Sequence, residues 1–287
     1  MSFRSTLPAA VLVLSLCSTV VAADAPPPDK SAYSFSNRTP ESQLRELSTD
    51  RPDLTESPYT VDAGWWQLEM DMAAYTRDHD KSGGADIQAS ALSFANINLK
   101  VGLTSNIDLQ TVIESYTKVR VHDRISGARA TVSGFGDITS RLKINFWGND
   151  GGPSAFGLMP FVKWPTNQHG LGNKSVEGGL IVPYAHELPN GWGLGAMTEI
   201  DIVRNENDDG YTTDWVNTIT VGRDLTEKVG FYVELATAVT HGADLASFDC
   251  GVTYGYSKHV QFDVGANLGL TRATEDLTVF AGLSVRF

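Results

Sequence analysis

The chain has 287 residues, 20% of them charged, and a formal net charge of -12 from 34 acidic against 22 basic side chains. That acidic excess argues against a phosphate-binding face, and so against nucleic acid as a partner. The two cysteines, Cys17 and Cys250, lie in segments with different fates, so no intramolecular disulfide holds the mature fold.

The N-terminus decides the compartment. Met1 to Ser5 carries one positive residue, Arg4, an apolar run extends from Leu7 to Val21, and small residues close it at Val20, Val21, Ala22 and Ala23. This is the layout of a secretory signal peptide, and the run is too short for a comfortable membrane-spanning helix. Asp24 and the prolines at 26, 27 and 28 break any helix beyond it. Cleavage is expected after Ala22 or Ala23, giving a signal peptide over 1–22; losing Arg4 takes the net charge from -12 to -13. Leu16 precedes Cys17 where a small residue is required, which argues against a lipoprotein. Past the signal no stretch approaches about 18 apolar residues, which leaves a soluble exported protein or a membrane β-barrel.

Residues 23–63 read as a polar, proline-containing N-terminal extension. From Gly64 the pattern turns to period two. Trp66, Leu68, Met70, Met72 and Ala74 alternate with Gln67, Glu69 and Asp71, the mark of a strand with unlike faces. The pattern recurs at Ala91, Ala95, Ile97, Leu99, Val101 and Leu103, at Ile138, Leu142, Ile144 and Phe146, and at Val260, Phe262, Val264, Ala266 and Leu268. About twelve strands are predicted, over 64–77, 87–103, 106–122, 131–148, 153–166, 174–187, 191–204, 212–224, 228–240, 245–256, 259–271 and 276–287. Each is near the length that crosses a bilayer as a tilted strand. Tight turns at 104–105, 149–152, 188–190, 225–227 and 257–258 alternate with longer or more polar connections at 78–86, 123–130, 167–173, 205–211, 241–244 and 272–275. Short turns on one rim and long loops on the other are the outer-membrane arrangement. Asn217, which interrupts the apolar face of Trp215, Ile219 and Val221, and Pro160 in mid-strand mark positions where a bulge or a shifted boundary is expected.

All six tryptophans (Trp65, Trp66, Trp147, Trp164, Trp192 and Trp215) fall near predicted strand ends, as an aromatic girdle requires. In the last strand Leu277, Val279, Ala281, Leu283, Val285 and Phe287 alternate against Thr278, Gly282, Ser284 and Arg286. Val285 and the terminal Phe287 are the expected barrel-closure signal. An open sheet with an apolar outer face cannot survive in lipid, so this strand must pair with the first. The predicted fold is therefore all-β, a transmembrane antiparallel up-and-down barrel over 64–287. Its expected partners are outer-membrane lipid and lipopolysaccharide, the barrel-assembly machinery through the C-terminal strand, and a small-molecule solute.

Several segments resemble the outer-membrane family named for the MetA pathway of phenol degradation. They are Ser48-Thr49-Asp50-Arg51-Pro52-Asp53-Leu54-Thr55-Glu56-Ser57-Pro58, Gly134-Phe135-Gly136-Asp137-Ile138, Trp147-Gly148-Asn149-Asp150-Gly151-Gly152, Met159-Pro160-Phe161-Val162-Lys163, Val176-Glu177-Gly178-Gly179-Leu180 and Gly191-Trp192-Gly193-Leu194-Gly195. The resemblance implies an outer-membrane barrel that moves small, aromatic or hydrophobic compounds. It brings no proven site residues.

Twelve charged residues on the polar sides of strands are candidate lumen lining: Glu69, Asp71, Lys100, Glu114, Asp137, Arg141, Lys143, Glu177, Glu199, Asp201, Glu234 and Asp263. They make either a charged conduit, favouring cations or neutral solutes, or a mutually neutralised and packed interior. Asp50, Arg51, Asp53 and Glu56 are plug candidates: Arg51 is expected to meet lumen carboxylates, and Asp53 or Glu56 to meet Lys100, Arg141 or Lys143. The alternative is a solvated linker. The six histidines, at 79, 122, 169, 186, 241 and 259, form no metal-ligand or triad spacing, so no metal, cofactor or catalytic residue is assigned. A non-conducting structural or adhesion barrel and an outer-membrane hydrolase are the competing functions. Gly191-x-Gly193-x-x-Ala196 matches a relaxed dinucleotide fingerprint but runs on as a strand. Asn205-x-Asn207-x-Asp209-Gly210 echoes a calcium loop, yet Val216 stands where a bidentate Glu belongs.

Overall fold

The computed structural model describes residues 29–205 and 210–287. The expected signal peptide, residues 23–28, and Asn207 and Asp209 of the calcium-loop echo lie outside the described residues. The strands are β1 (Trp66–Asp80), β2 (Ile87–Thr104), β3 (Ile107–Ile113), β4 (Tyr116–Asp123), β5 (Arg129–Gly134), β6 (Ile138–Trp147), β7 (Ser154–Trp164), β8 (Glu177–Leu188), β9 (Trp192–Arg204), β10 (Tyr211–Asp224), β11 (Val229–Val239), β12 (Asp244–Ser257), β13 (Val260–Gly269) and β14 (Leu277–Arg286). Every pairing is antiparallel, and β1 pairs with both β2 and β14, which closes the sheet into a barrel. The final bonds of closure join Trp66 and Phe287, whose amides and carbonyls exchange two hydrogen bonds of 2.9 Å.

Segments β3 and β4 pair with the two halves of β2, β6 pairs with β3, and β5 pairs with β4. They are two staves, each interrupted once, so the wall has twelve staves. The sequence reading has both as unbroken strands. The breaks, at residues 114–115 and 135–137, lie side by side, with the Gly136 amide donating to the Glu114 carbonyl at 2.8 Å. The buried Asp137 carboxylate explains the break. It accepts from the Asn167 side-chain amide at 2.8 Å and from the Asn173 backbone at 2.6 Å, so the β7–β8 loop occupies the place of ladder partners. A buried carboxylate must find donors, and here the loop supplies them.

Two bulges correct the simple alternation. At Met72 the register of β1 against β14 slips, so Ala73 and Tyr75 take the outer face and Ala74 turns inward. At Ala95, which has φ 53°, β2 slips too, and Phe94 and Leu92 face outward instead of Ala91. Asn217 causes no bulge: it stays in an unbroken ladder and accepts a 2.9 Å bond from the Thr198 hydroxyl. Pro160 also keeps register. The β6–β7 ladder has Arg141 opposite Phe161 and then Ile144 opposite Leu158, with no pairing recorded across Pro160, which has no donor.

The outer face is apolar, with Met72, Phe94, Leu109, Ile219, Leu235 and Val264 all exposed. Trp66 and Trp147 mark the short-turn rim, and Trp164 and Trp215 the long-loop rim, all exposed. Trp65 departs from the girdle. It is buried, its indole N–H donates to the Thr39 carbonyl at 2.8 Å, and Arg38 lies 3.4 Å over its ring.

Candidate functional site

Residues 29–65 do not hang from the rim. They are bonded to β1, β2, β3, β6, β9, β10, β11, β13 and β14, that is, to inward side chains from round the wall. The segment begins at the short-turn rim in a knot of charges. Asp150, in the β6–β7 turn, takes a two-point bond from Arg45 (2.9 and 3.0 Å) and an ion pair from Lys30 (2.8 Å). Buried Asp62 pairs with Lys30 at 3.2 Å and accepts the Arg45 amide at 3.0 Å. Arg286, near the end of the last strand, donates to the Arg45 carbonyl at 2.9 Å.

This latch has a pH dependence. Partial burial pushes the Asp150 carboxyl up, but the bonds and charges of Arg45 and Lys30 outweigh it and hold the group below its ordinary 3.8. A depressed carboxylate contributes stability above its unfolded value and loses it as pH falls through the folded one. Protection of residues 29–48 from hydrogen exchange is therefore expected to fall below about pH 3.8, and Asp150→Asn is expected to show the weaker protection already at neutral pH. A flat profile in the unsubstituted protein would overturn this.

Deeper in, Asp50 bridges two buried lysines. Its carboxylate takes Lys143 at 2.6 Å and also binds Lys100, which pairs with Glu69 at 2.5 Å; the Asp50 amide donates to Glu69 at 3.1 Å. Arg51 reaches Asp71 at 2.5 Å and Asp263 at 2.7 Å. The Leu54 and Thr55 amides both donate to Glu234 at 2.8 Å, and Glu56 pairs with Arg141 at 2.5 Å. The chain then leaves past Asn145, which donates to the Pro58 carbonyl at 2.9 Å, and Asp108, which accepts the Val61 amide at 3.0 Å. Gly102 makes the exit passable, since a Cβ there would lie 2.2 Å from the Asp62 carbonyl oxygen.

Seven of the twelve lumen candidates are thus gathered on this segment: Glu69, Asp71, Lys100, Arg141, Lys143, Glu234 and Asp263. Glu114 and Asp137 sit at the wall breaks, beside Lys163 at 3.3 and 3.9 Å. Glu177 accepts the Arg204 amide at 2.8 Å, and Glu199 and Asp201 stand above the segment on β9. Of the pair Asp53 or Glu56, it is Glu56 that makes the expected contact, with Arg141; Asp53 makes no ion pair among the described residues, and the two lumen lysines are taken by Asp50. The reason is the turn between them: the Asp50 amide is pinned on β1 beside Lys100, whereas three residues later the chain has crossed to Glu234 on β11.

Sequence reasoning missed Lys30, Arg45, Asp62, Asp108 and Asp150. Strand parity was a signal only for Asp108; the others lie in turns or in the extension, where no periodicity applies. It also missed an apolar lane inside the lumen. Met159, Ile181 and Met197, from β7, β8 and β9, are buried together, with Phe161 and Val216 against them. Below it a cavity of about 290 Å³ separates the segment from the β8–β11 wall, lined by the side chains of Asp53, Thr55, Tyr59 and Tyr232 among others.

A closed twelve-stave barrel, apolar and aromatic outside, polar inside, and occupied by its own N-terminal segment, is an outer-membrane β-barrel. The chain belongs to the family described as "Putative MetA-pathway of phenol degradation", whose model matches residues 49–287. No curated protein matches it in sequence. It is similar in structure to the COG4313 outer membrane channel from Pseudomonas putida F1, at 13% identity and a TM-score of 0.58, over 84% of this chain and 100% of that one. The toluene transporter TbuX of Ralstonia pickettii is also similar, at 9% identity and a TM-score of 0.45, over 77% of this chain and 88% of that one.

Proposed function

We propose that this protein is a passive outer-membrane channel for small neutral or hydrophobic solutes, aromatic compounds among them, with residues 29–65 forming its constriction. The apolar lane of Met159, Ile181 and Met197 carries the reading. Apart from the Met197 sulfur, which accepts the Glu56 amide at 3.4 Å, these apolar side chains take no part in pairing the charges around them, and they give a hydrophobic solute a surface that water does not contest. The cavity beside Tyr59 and Tyr232 continues that surface past the occluding segment, and aromatic faces suit aromatic solutes. The family's link to phenol degradation points the same way. At the plugged level Asp50, Glu56, Glu69, Asp71 and Asp263 are already paired with Lys100, Lys143, Arg141 or Arg51, which supports passage of neutral solutes over ions.

The test is uptake of phenol into liposomes holding the purified protein. Met197→Asp is expected to slow uptake severalfold while the barrel remains folded, because a buried carboxylate places ordered water on the lane. Equal uptake by the variant would overturn the lane. The number of bonds fixing residues 29–65 favours one second reading, a filled and non-conducting barrel. No uptake by the unsubstituted protein would establish it.

A further inference from the structure

The chain is strongly acidic, yet four basic residues gather on one patch of its outer face. The register places them. Arg77 lies opposite Leu277 of β14, which is on the lipid-facing row with Val279. On the next strands Arg77 faces Ser90, Ser90 faces Arg120, and Arg120 faces Thr131. One row over, Gln88 faces His122, which faces Arg129, and Leu92 faces Lys118. Since partners across a ladder point the same way, Arg77, Lys118, Arg120, His122 and Arg129 all project outward from the barrel.

Their height is fixed from below. Tyr75, Phe94 and Tyr116 are exposed on the same outer face, two residues nearer the membrane than Arg77 and Lys118. Exposed aromatics end the apolar band of a barrel. Two residues of strand add about 7 Å at most, so the cations stand immediately above the acyl layer. The wall is also tallest here: β1 and β2 run to 15 and 18 residues, against 10 in β13 and β14. The end in question is the long-loop rim, so the leaflet is the outer one.

Among the described residues none of Arg77, Lys118, Arg120 or Arg129 forms an ion pair. Of the nearby carboxylates, Asp86 is bonded to His79 at 2.7 Å and lies 3.9 Å from Arg124, and Asp123 is bonded within its own loop. Asp78 borders the same cleft, which measures about 660 Å³ and is lined by Arg77, His79, Arg120, His122 and Arg129.

We propose that this cleft binds the phosphate groups of lipopolysaccharide's lipid A. The outer leaflet offers phosphates just above its acyl chains, and unpaired guanidinium groups meet phosphate oxygens two at a time. The aromatic row below packs on the acyl chains of the same molecule, so one lipid is held at both ends. The inference rests on the outer-membrane placement and not on the solute reading.

Native mass spectrometry of the full mature protein in detergent, loaded with diphosphoryl lipid A, tests it. Arg77→Gln/Arg120→Gln/Arg129→Gln is expected to bind the lipid on the order of tenfold to hundredfold more weakly, as three lost contacts with an anionic surface imply. Lys228→Gln, on the opposite rim, is expected to bind it unchanged. Enzymatically dephosphorylated lipid A is expected to bind the unsubstituted protein as weakly as the triple variant binds the phosphorylated form. Equal retention by the unsubstituted protein and the triple variant, both confirmed as folded by circular dichroism, would overturn the proposal. So would retention that survives loss of the phosphates, which would assign the binding to the aromatic row alone. Phenol uptake by the triple variant stays normal, so failure here and failure of the channel reading are read separately.

Discussion

Asp50→Ala is expected to free residues 48–58 from the lumen and raise single-channel conductance severalfold, with the barrel still folded. Lys143 is wholly buried, and Asp50 is its only carboxylate within ion-pair distance among the described residues. Lys100 keeps Glu69. Removing one partner of a buried pair leaves the other charge without solvent or counter-ion, at a cost of roughly 3–5 kcal/mol. That cost falls on the docked segment, because water entering the lumen relieves it while the backbone ladder is untouched. Planar-bilayer recording checks the result. Asp50→Ala/Lys143→Met supplies the control: with both charges gone and an apolar chain of similar shape in place, the segment is expected to dock again and conductance to return towards the original level. Conductance unchanged by Asp50→Ala, with the segment still protected from hydrogen exchange, would remove Asp50 from the role of anchor.

The second large effect is expected at Arg51. Its guanidinium spans Asp71 and Asp263, whose side chain is fully buried. Arg51→Ala leaves two carboxylates bare on β1 and β13, either side of Gly282 on β14, so besides opening the lumen it is expected to shift the reversal potential in a salt gradient towards cations. Arg51→Lys keeps the charge but not the two-pronged geometry, and a partial effect is expected. Gly282 gives an independent route to the same state. A Cβ there would lie 2.1 Å from an Arg51 terminal nitrogen. The arginine cannot swing aside without breaking one of its ion pairs, so Gly282→Val is expected to mimic Arg51→Ala although it adds no charge. Cation selectivity equal to that of the unsubstituted protein in both variants would show that the carboxylates are not on the conducting path.

Much of the wall could be read from residue order. The alternation of Gln67 and Glu69 against Trp66 and Leu68, and of Arg141 and Lys143 against Leu142 and Ile144, follows from the two-residue period of a strand between lipid and water. The same parity put all twelve charged candidates on the inner side or at its interruptions. Where the reading slipped, at Met72 and Ala95, one inserted residue reverses the faces beyond it, and nothing in a run of apolar residues marks which one is extra. The paired breaks beside Glu114 and Asp137 were illegible for a different reason: they depend on a loop that begins some thirty residues later in the chain.

Local pattern by itself determined the fold class, the number of staves, the rim on which each turn lies and the identity of the closing strand, because each follows from a two-residue period and the cost of an unpaired backbone in lipid. Only the tertiary structure decided what fills the lumen. Asp50 between Lys100 and Lys143, Arg45 on Asp150, and Met159 against Ile181 and Met197 join residues from separate strands and turns. Such contacts are set by the closure and shear of the barrel, which bring distant positions to one height, and no local period records them.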